Sequence, residues 1–223
     1  MSIYIGMFGD IANAKASFGQ DYAKPGQFFV IIEAAKAGKH ASKGVEQTIM
    51  ECSYLHVVDK ALWTGDPKLV PTGEKGQHLL NLPGEEPKPG NPISFIFQAG
   101  QKGANNRAKK FIITCFDCKD EDFPTGEKGE KEVAAIFGAL QPLKSVVIEI
   151  KAGEQTTQSN KKIVGANPTR RVWAEELRQM WEANRLEQGT IDMLSKEKRL
   201  EKMIAMEVEE RKNKSAPVAA AAK

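Results

Sequence analysis

Two long strand-like runs joined by a short basic turn constrain the fold more than any other stretch of this chain. The first run covers residues 27–35 and the second covers residues 45–58. Both are rich in the β-branched and aromatic residues that favour strands. The turn between them, residues 36–44, holds three lysines and two glycines. The pattern predicts a β-hairpin with a cationic tip.

The second run does not separate an apolar face from a polar one. Its even-numbered positions include Glu, Met, Tyr and His, and its odd-numbered positions include Gln, Ile, Glu and Leu. Successive strand residues point to opposite faces, so each face of this run mixes polar and apolar side chains. A curved sheet that crosses from core to solvent, as in small barrels, explains this mixture. On this alternation, Tyr54 and His56 share a face.

The length and the cysteine content indicate an intracellular protein with one main domain. A chain of 223 residues can bury a sizeable core without disulfide bonds. Three cysteines at uneven spacing favour free thiols in a reducing compartment. The first ten residues lack a basic leader, and no apolar run approaches the length of a membrane span. We therefore expect a cytoplasmic protein that is neither secreted nor inserted into a membrane.

Charge is unevenly distributed along the chain. The net charge of +3 is mild and does not by itself identify a nucleic-acid-binding protein. Basic residues gather at 36–44, 102–110 and 161–171, and acidic residues gather at 117–122. Basic loops of this kind are compatible with nucleic-acid binding, and equally with a solvated surface.

Several segments after the hairpin have the periodicity of strands or helices. They are a third strand at 92–99, a helix ending near 116, a short helix at 130–140, a fourth strand at 143–152 and a fifth at 161–167. Asn105 or Asn106 is expected to cap the first helix. A stretch rich in proline and glycine, residues 63–92, predicts a long loop before the third strand.

This order of elements predicts a mainly β fold with helices. Three strands, helices and two further strands make up the five-stranded Greek-key barrel of the OB type, in which a helix between strands three and four plugs one end. From Pro168 onward the spacing of apolar residues predicts two helices separated by Gly189 and Thr190.

The domain organisation follows from these patterns. We expect four regions, which are an irregular lead-in at 1–26, an OB-like barrel at 27–168, a C-terminal helical extension at 169–213 and a disordered alanine-rich tail at 214–223.

The sequence holds none of the common catalytic motifs. Its three histidines are widely separated, and it has no Walker-type phosphate loop. Cys115 and Cys118 have the C-x-x-C form, but no second pair completes a zinc site, and a buried core thiol is the more frequent role. The acidic residues at 117–122 support only a weaker hypothesis of a metal-dependent nuclease. We expect no enzymatic activity, no metal and no cofactor.

Basic and aromatic residues of the predicted sheet form the strongest functional pattern. OB grooves stack bases on aromatic rings, worth roughly 1–3 kcal/mol per base, while Lys and Arg follow the phosphates. Phenylalanines usually fill cores, so Tyr54 and His56 are preferred over Phe29, Phe95 and Phe97. The candidate nucleic-acid-binding residues are Lys36, Lys39, Lys43, Tyr54, His56, Arg107, Lys109, Lys110, Lys151, Lys161, Lys162, Arg170 and Arg171. Because aromatic residues make up only 7% of the chain, affinity is expected to depend on salt.

The chain resembles a phage-encoded family of OB-fold proteins that bind single-stranded DNA or assist replication. The similar segments are Lys24-Pro25-Gly26, the turn at 36–44, Asn91 to Phe95, the helix from Asn106 to Ile112, and Val147 to Ile150 followed by Gln155 to Thr157 and Lys161-Lys162. The resemblance implies a non-enzymatic single-stranded-DNA-binding protein of phage replication or recombination in the host cytoplasm. Many such proteins end in an acidic tail that recruits partners, whereas this chain ends in Ala and Lys. Replication or recombination partners would then contact the helices at 169–213.

A second interpretation belongs to a different class of protein. The balanced charge, the low aromatic content and the heptad-like stretch from Ile191 to Val208 are also typical of a virion structural or assembly protein. Such a protein would use its C-terminal helices for partner contacts. The sequence leaves both interpretations open.

Overall fold

A five-stranded antiparallel sheet organises the chain. The computed structural model describes residues 26–39, 44–60, 87–98, 103–123, 143–156 and 162–215. The strands are β1 (Gly26–Lys39), β2 (Glu46–Lys60), β3 (Pro92–Gln98), β4 (Val147–Thr156) and β5 (Lys162–Val172). They pair in the order β3-β2-β1-β4-β5 as an open sheet. All five predicted strands are confirmed, and the predicted hairpin is β1 with β2.

Within the described residues, four helices complete a mixed α and β architecture. They are α1 (Ala104–Phe116), α2 (Ala174–Glu182), α3 (Gln188–Ser195) and α4 (Arg199–Ser215), with short 3-10 turns at Asp120–Asp122 and Lys196–Lys198. None of the helices in the described ranges is long and apolar enough to cross a membrane. The predicted helix at 130–140, the hairpin tip at 40–43 and the tail after residue 215 lie outside the described residues, as do residues 1–25 and 61–86.

β-Bulges change which face a side chain occupies. In the β1–β2 ladder Phe29 pairs with His56 but Val30 pairs with Tyr54, so Leu55 is an extra residue. An extra residue shifts the alternation of the strand and increases its twist. Tyr54 therefore packs on Phe28 while His56 packs on Phe29, on the opposite face. The prediction that Tyr54 and His56 share a face is wrong.

One face of the sheet, here called the inner face, packs against α1. The Phe111 ring lies 5.0 Å from that of Phe95 and 5.8 Å from that of Phe97, measured between centroids. Cys115 is fully buried in the same core. The apolar face predicted for this helix is confirmed, but its cap is not Asn105 or Asn106. The helix begins after Gly103, whose φ of 78° glycine adopts without strain.

The opposite face, here called the outer face, packs against the C-terminal helices. Phe29 and Leu55 from the hairpin lie in a second core with Leu177 of α2, Leu194 of α3 and Met203 of α4. These helices therefore pack on the same sheet as α1, from the other side. β5 runs to Val172, so the predicted boundary between residues 168 and 169 falls inside a strand.

Pro168 lies in a strand and does not mark a helix start. It pairs with Ile150, while Glu149 pairs with Arg170, so Thr169 forms a bulge. β5 is an edge strand, and edge strands and bulges are where a sheet accepts proline. The Thr169 hydroxyl donates to the Glu149 carbonyl at 3.1 Å, which holds the bulge in place.

The C-terminal region contains three helices, and Gly189 with Thr190 does not separate two of them. Both residues lie inside α3. A Cβ on Gly189 would come within 3.2 Å of Pro89, and the Thr190 hydroxyl donates to the Leu55 carbonyl, so this pair anchors α3 to the sheet. The break falls later, at Glu197 and Lys198, which both have positive φ. The heptad-like stretch is therefore not one continuous helix.

Truncating the second core should destabilise the whole domain. We expect Leu177→Ala or Leu194→Ala to lower the free energy of unfolding by about 2–5 kcal/mol, because each leaves a cavity between a helix and the sheet. Arg178→Ala, at an exposed position of α2, is the matched control and should cost less than about 1 kcal/mol. Urea unfolding measures both. Two separate transitions, with only one affected, would contradict a single folded unit.

Candidate nucleic-acid interface

The C-terminal helices cover only part of the outer face. The covered part includes Phe29, Leu55 and Val147. The rest is built by the end of β1, the start of β2 and β3, whose outward side chains are half-buried or exposed apart from Ser94, which is buried. We call this uncovered part the outer strip, and its members are Lys36, Gln47, Ile49, Glu51, Ile96 and Gln98.

Strand register sets the chemistry of the outer strip. Lys36 pairs with Ile49 and Ile49 pairs with Ile96, so these three side chains form one row across the strip with the lysine at its end. In the neighbouring row, the Gln98 amide donates to the Gln47 side-chain oxygen at 3.4 Å. The strip therefore offers an apolar centre, two amides, one cation and the Glu51 carboxylate beside it. These groups can contact the flat faces, the polar edges and the phosphates of nucleotides.

Lys36 already has a carboxylate partner. Its Nζ donates to Glu51 Oε1 at 2.6 Å, in a surface ion pair. Such pairs contribute only about 0–1 kcal/mol, because water screens them. A phosphate that binds Lys36 therefore breaks only a weak ion pair, and Lys36 is the described lysine that lies on the strip.

The aromatic rings considered from the sequence do not lie on the outer strip. Tyr54 is 5% exposed, with its ring edge-on to Phe28 at 5.2 Å. Phe95 and Phe97 are in the inner core, and Phe29 is under the C-terminal helices. These rings pack the protein, and a binding role for Tyr54 stays a prediction.

His56 is half-buried against Phe29, at 5.7 Å between ring centroids. Burial lowers the pKa of its imidazole, because the charged form loses water. The ring is therefore neutral near pH 7 and supplies no positive charge to a phosphate. Its role in binding DNA likewise stays a prediction.

Two of the predicted basic residues are buried on α1. The Arg107 guanidinium donates to the Ile96 carbonyl at 3.2 Å, which ties the helix to β3. Lys109 pairs with Asp120 at 2.8 Å and lies over the Phe123 ring. Both side chains hold the helix and the following acidic turn in place.

Arg170 and Arg171 of β5 are both paired with carboxylates, Arg170 at the surface and Arg171 inside the fold. Arg170 contacts Glu149 at 2.8 Å and Glu176 at 2.7 Å, and hydrogen bonds to these carboxylates raise its pKa. The Arg171 side chain is only 3% exposed and contacts Glu210 at 2.7 Å. Neither arginine belongs to the outer strip.

The remaining predicted cations differ in position. Lys39 and Lys151 are exposed, and Lys110 is half-buried on α1. Lys39 ends β1, three residues beyond Lys36, and Lys151 lies on the outer face of β4 away from the strip. Lys43, Lys161 and the side chain of Lys162 lie outside the described residues.

The sequence reasoning missed the uncharged members of the outer strip. Gln47, Ile49, Ile96 and Gln98 carry no motif, and each is ordinary for a strand. The mixture of polar and apolar side chains on both faces of β2 was the one signal that part of this sheet is exposed to solvent. Only the pairing of β2 with β3 brings the two isoleucines and the two glutamines together.

The C-x-x-C pair does not form a metal site with the residues around it. In the part of the chain that the structure describes, no three His, Cys, Asp or Glu side chains are grouped to hold a metal ion. Burial raises the pKa of the Cys115 thiol well above its usual range, which leaves it protonated and unreactive. The predicted role of Cys115 as a core thiol fits its full burial.

Comparisons with known proteins do not assign this chain to a family. No protein-family model matches the sequence, and no curated protein is significantly similar to it. A function therefore has to be proposed from the sheet, the outer strip and the charges around them.

The half-buried imidazole of His56 should make the protein sensitive to acid. Its pKa is lower in the folded than in the unfolded state, so the unfolded chain takes up a proton first as the pH falls. This contribution to stability is present above about pH 6.5 and is lost below it. Relative to His56→Gln, the unaltered protein should lose more unfolding free energy between pH 7.5 and pH 5, measured with urea. Equal losses would contradict this.

Proposed function

We propose that this chain is a single-stranded-DNA-binding protein with an OB-type fold, and that DNA lies along the outer strip. The sheet order β3-β2-β1-β4-β5, with α1 inserted between β3 and β4, supports the OB assignment. β1 pairs with β2 along its length and with β4 over its first half, as the long first strand of such a Greek-key sheet does. The protein carries out no chemistry on the DNA.

The main support for this proposal is that the C-terminal helices leave part of the outer face uncovered. OB domains bind oligonucleotides on the face formed by their second and third strands and the loops beside it. In this chain the C-terminal helices cover Phe29 and Leu55 but leave Ile49 and Ile96 half-exposed on β2 and β3. The uncovered region therefore coincides with the face that OB domains use.

The composition of the outer strip sets the expected mode of binding. Bases lie on the aliphatic surface of Ile49 and Ile96, and Gln47 and Gln98 offer hydrogen bonds to their edges. Aliphatic side chains stack less well than aromatic rings, so affinity is moderate and sequence preference is weak. Phosphates meet Lys36 on the strip and Lys39 at the end of the hairpin.

A role in phage DNA replication or recombination follows from the resemblance of the strand openings and of the α1 sequence to that family. Binding without strong sequence preference suits a protein that covers exposed single strands. The C-terminal helices then contact other proteins of the same process.

A virion structural or assembly role is the second candidate. It is favoured by Met206 and Val208, two large apolar side chains that are exposed on α4. A chain that binds no DNA at low salt but associates through α4 would support this role in place of the first.

Reversing the charge of Lys36 should weaken DNA binding. Lys36→Glu places two carboxylates beside each other on the strip, and we expect about fivefold or greater loss of affinity for oligo-dT at low salt. The slope of log affinity against log salt should fall by about 1, since one phosphate contact is lost. Fluorescence anisotropy of labelled oligo-dT at two salt concentrations, with a duplex competitor, measures both.

Lys151→Glu is the matched control, because it makes the same charge change on an exposed strand position outside the strip. It should change affinity much less than Lys36→Glu. Equal losses from both variants would mean that the outer strip is not the binding site. A lack of binding by the unaltered protein at low salt would overturn the proposed function itself.

A further inference from the structure

A groove runs between α4 and the turn at residues 143–146 that precedes β4. Two adjoining cavities of about 410 Å³ and 510 Å³ share Lys144, Ser145, Met203 and Met206 in their walls. Three further apolar side chains line these cavities, namely Phe116 of α1, Met193 of α3 and Val146 of the turn itself. Methionine walls adapt to the shape of whatever packs against them.

The turn on one side of the groove is held firmly. The Ser145 amide donates to the Ile32 carbonyl at 2.9 Å, and the Ile32 amide donates to the Val146 carbonyl at 3.0 Å. These bonds continue the pairing of β1 with β4. The groove is therefore a feature of the folded sheet and does not depend on the conformation of a loose loop.

The face of α4 that lines the groove changes sign along its length. Ala205 and Glu207 of α4 also line the groove. The members of this stripe, in chain order, are Arg199, Lys202, Met203, Met206, Glu209 and Glu210. Their spacing of three and four residues places them on one side of the helix. Met206, at the centre of this stripe, is 46% exposed.

The stripe is complementary to itself when reversed. Lys202 stands four residues before Met206, and Glu209 and Glu210 stand three and four residues after it. If two α4 helices lie antiparallel with Met206 facing Met206, the cation of each copy meets the carboxylates of the other. A parallel arrangement would instead place like charges together.

Contacts inside the chain occupy the two ends of the stripe and leave Lys202 and Glu209 able to contact another molecule. Glu210 contacts Arg171, and Arg199 contacts Glu33. Lys202 is exposed. Glu209 pairs with Lys212 three residues away, with both side chains about two-thirds exposed, and such a pair exchanges easily for another.

We propose that a second copy of this chain docks on the groove, forming a two-fold homodimer in which α4 packs antiparallel against α4 about an axis near Met206. In such an isologous contact each residue meets its counterpart across the axis, which the reversed charge order of the stripe satisfies. The proposal does not depend on DNA binding, since it uses the C-terminal helices and not the outer strip.

Sedimentation equilibrium of the full chain without DNA tests the proposal. The unaltered protein should show a monomer–dimer equilibrium that weakens as salt is added. Met206→Glu should weaken dimerisation at least tenfold, because it brings two carboxylates together at the axis. Val208→Glu is the matched control, since Val208 is also 46% exposed on α4 but lies about 200° around the helix and lines neither cavity.

A charge exchange provides the second test. Lys202→Glu should weaken dimerisation, and the double variant Lys202→Glu with Glu209→Lys should restore it, because the attraction across the axis is rebuilt with opposite signs. Circular dichroism establishes that each variant is folded. A monomer at every concentration, equal effects of Met206→Glu and Val208→Glu, or no rescue by the double variant would each overturn the proposal.

Discussion

The buried guanidinium of Arg171 joins the sheet to the helices that cover it. It projects from β5, contacts Glu210 and Glu207 of α4 at 2.7 Å and 3.9 Å, and stacks on the Trp173 ring at 4.1 Å. Glu207 in turn accepts the Ala174 amide with both carboxylate oxygens, at 3.0 Å and 2.9 Å. The Arg171 guanidinium and these two carboxylates stabilise each other, because a buried charge without a partner is costly. The position of α4, and with it the extent of the covered face, is fixed at this junction.

The sheet contributes side chains to a core on each of its faces. The outer strip is the part of the sheet that neither α1 nor the C-terminal helices cover. α1 fills the inner face, and the C-terminal helices fill the outer face over Phe29 and Leu55. Successive residues of β1 point to opposite faces, so this one long strand takes part in both cores. The packing of the C-terminal helices therefore produces both surfaces. The outer strip is the part of the outer face that these helices do not reach, and the groove lies where α4 meets the turn before β4.

Local patterns predicted the elements, and pairing between distant segments decided the rest. The hairpin, the third strand and α1 follow from the alternation and periodicity of their own residues. The opposed faces of Tyr54 and His56 do not, because the bulge at Leu55 exists only through its pairing with β1. The basic pair Arg170 and Arg171 looked like a phosphate-binding patch for the same reason. Their carboxylate partners come from β4, α2 and α4, which no local pattern places beside them.

Because the helices that cover the outer face are translated last, the two faces of the sheet are buried in a fixed order during synthesis. β1 and β2 leave the ribosome long before α2, α3 and α4 have been translated. Until those helices emerge, Phe29, Ile31 and Leu55 form an apolar patch in water on a sheet whose other face can already pack on α1. A nascent or prematurely terminated chain that ends before Ala174 exposes this patch, and such a surface attracts chaperones and aggregates at high concentration. Synthesis of α2, α3 and α4 is therefore what buries this apolar patch and prevents aggregation through it.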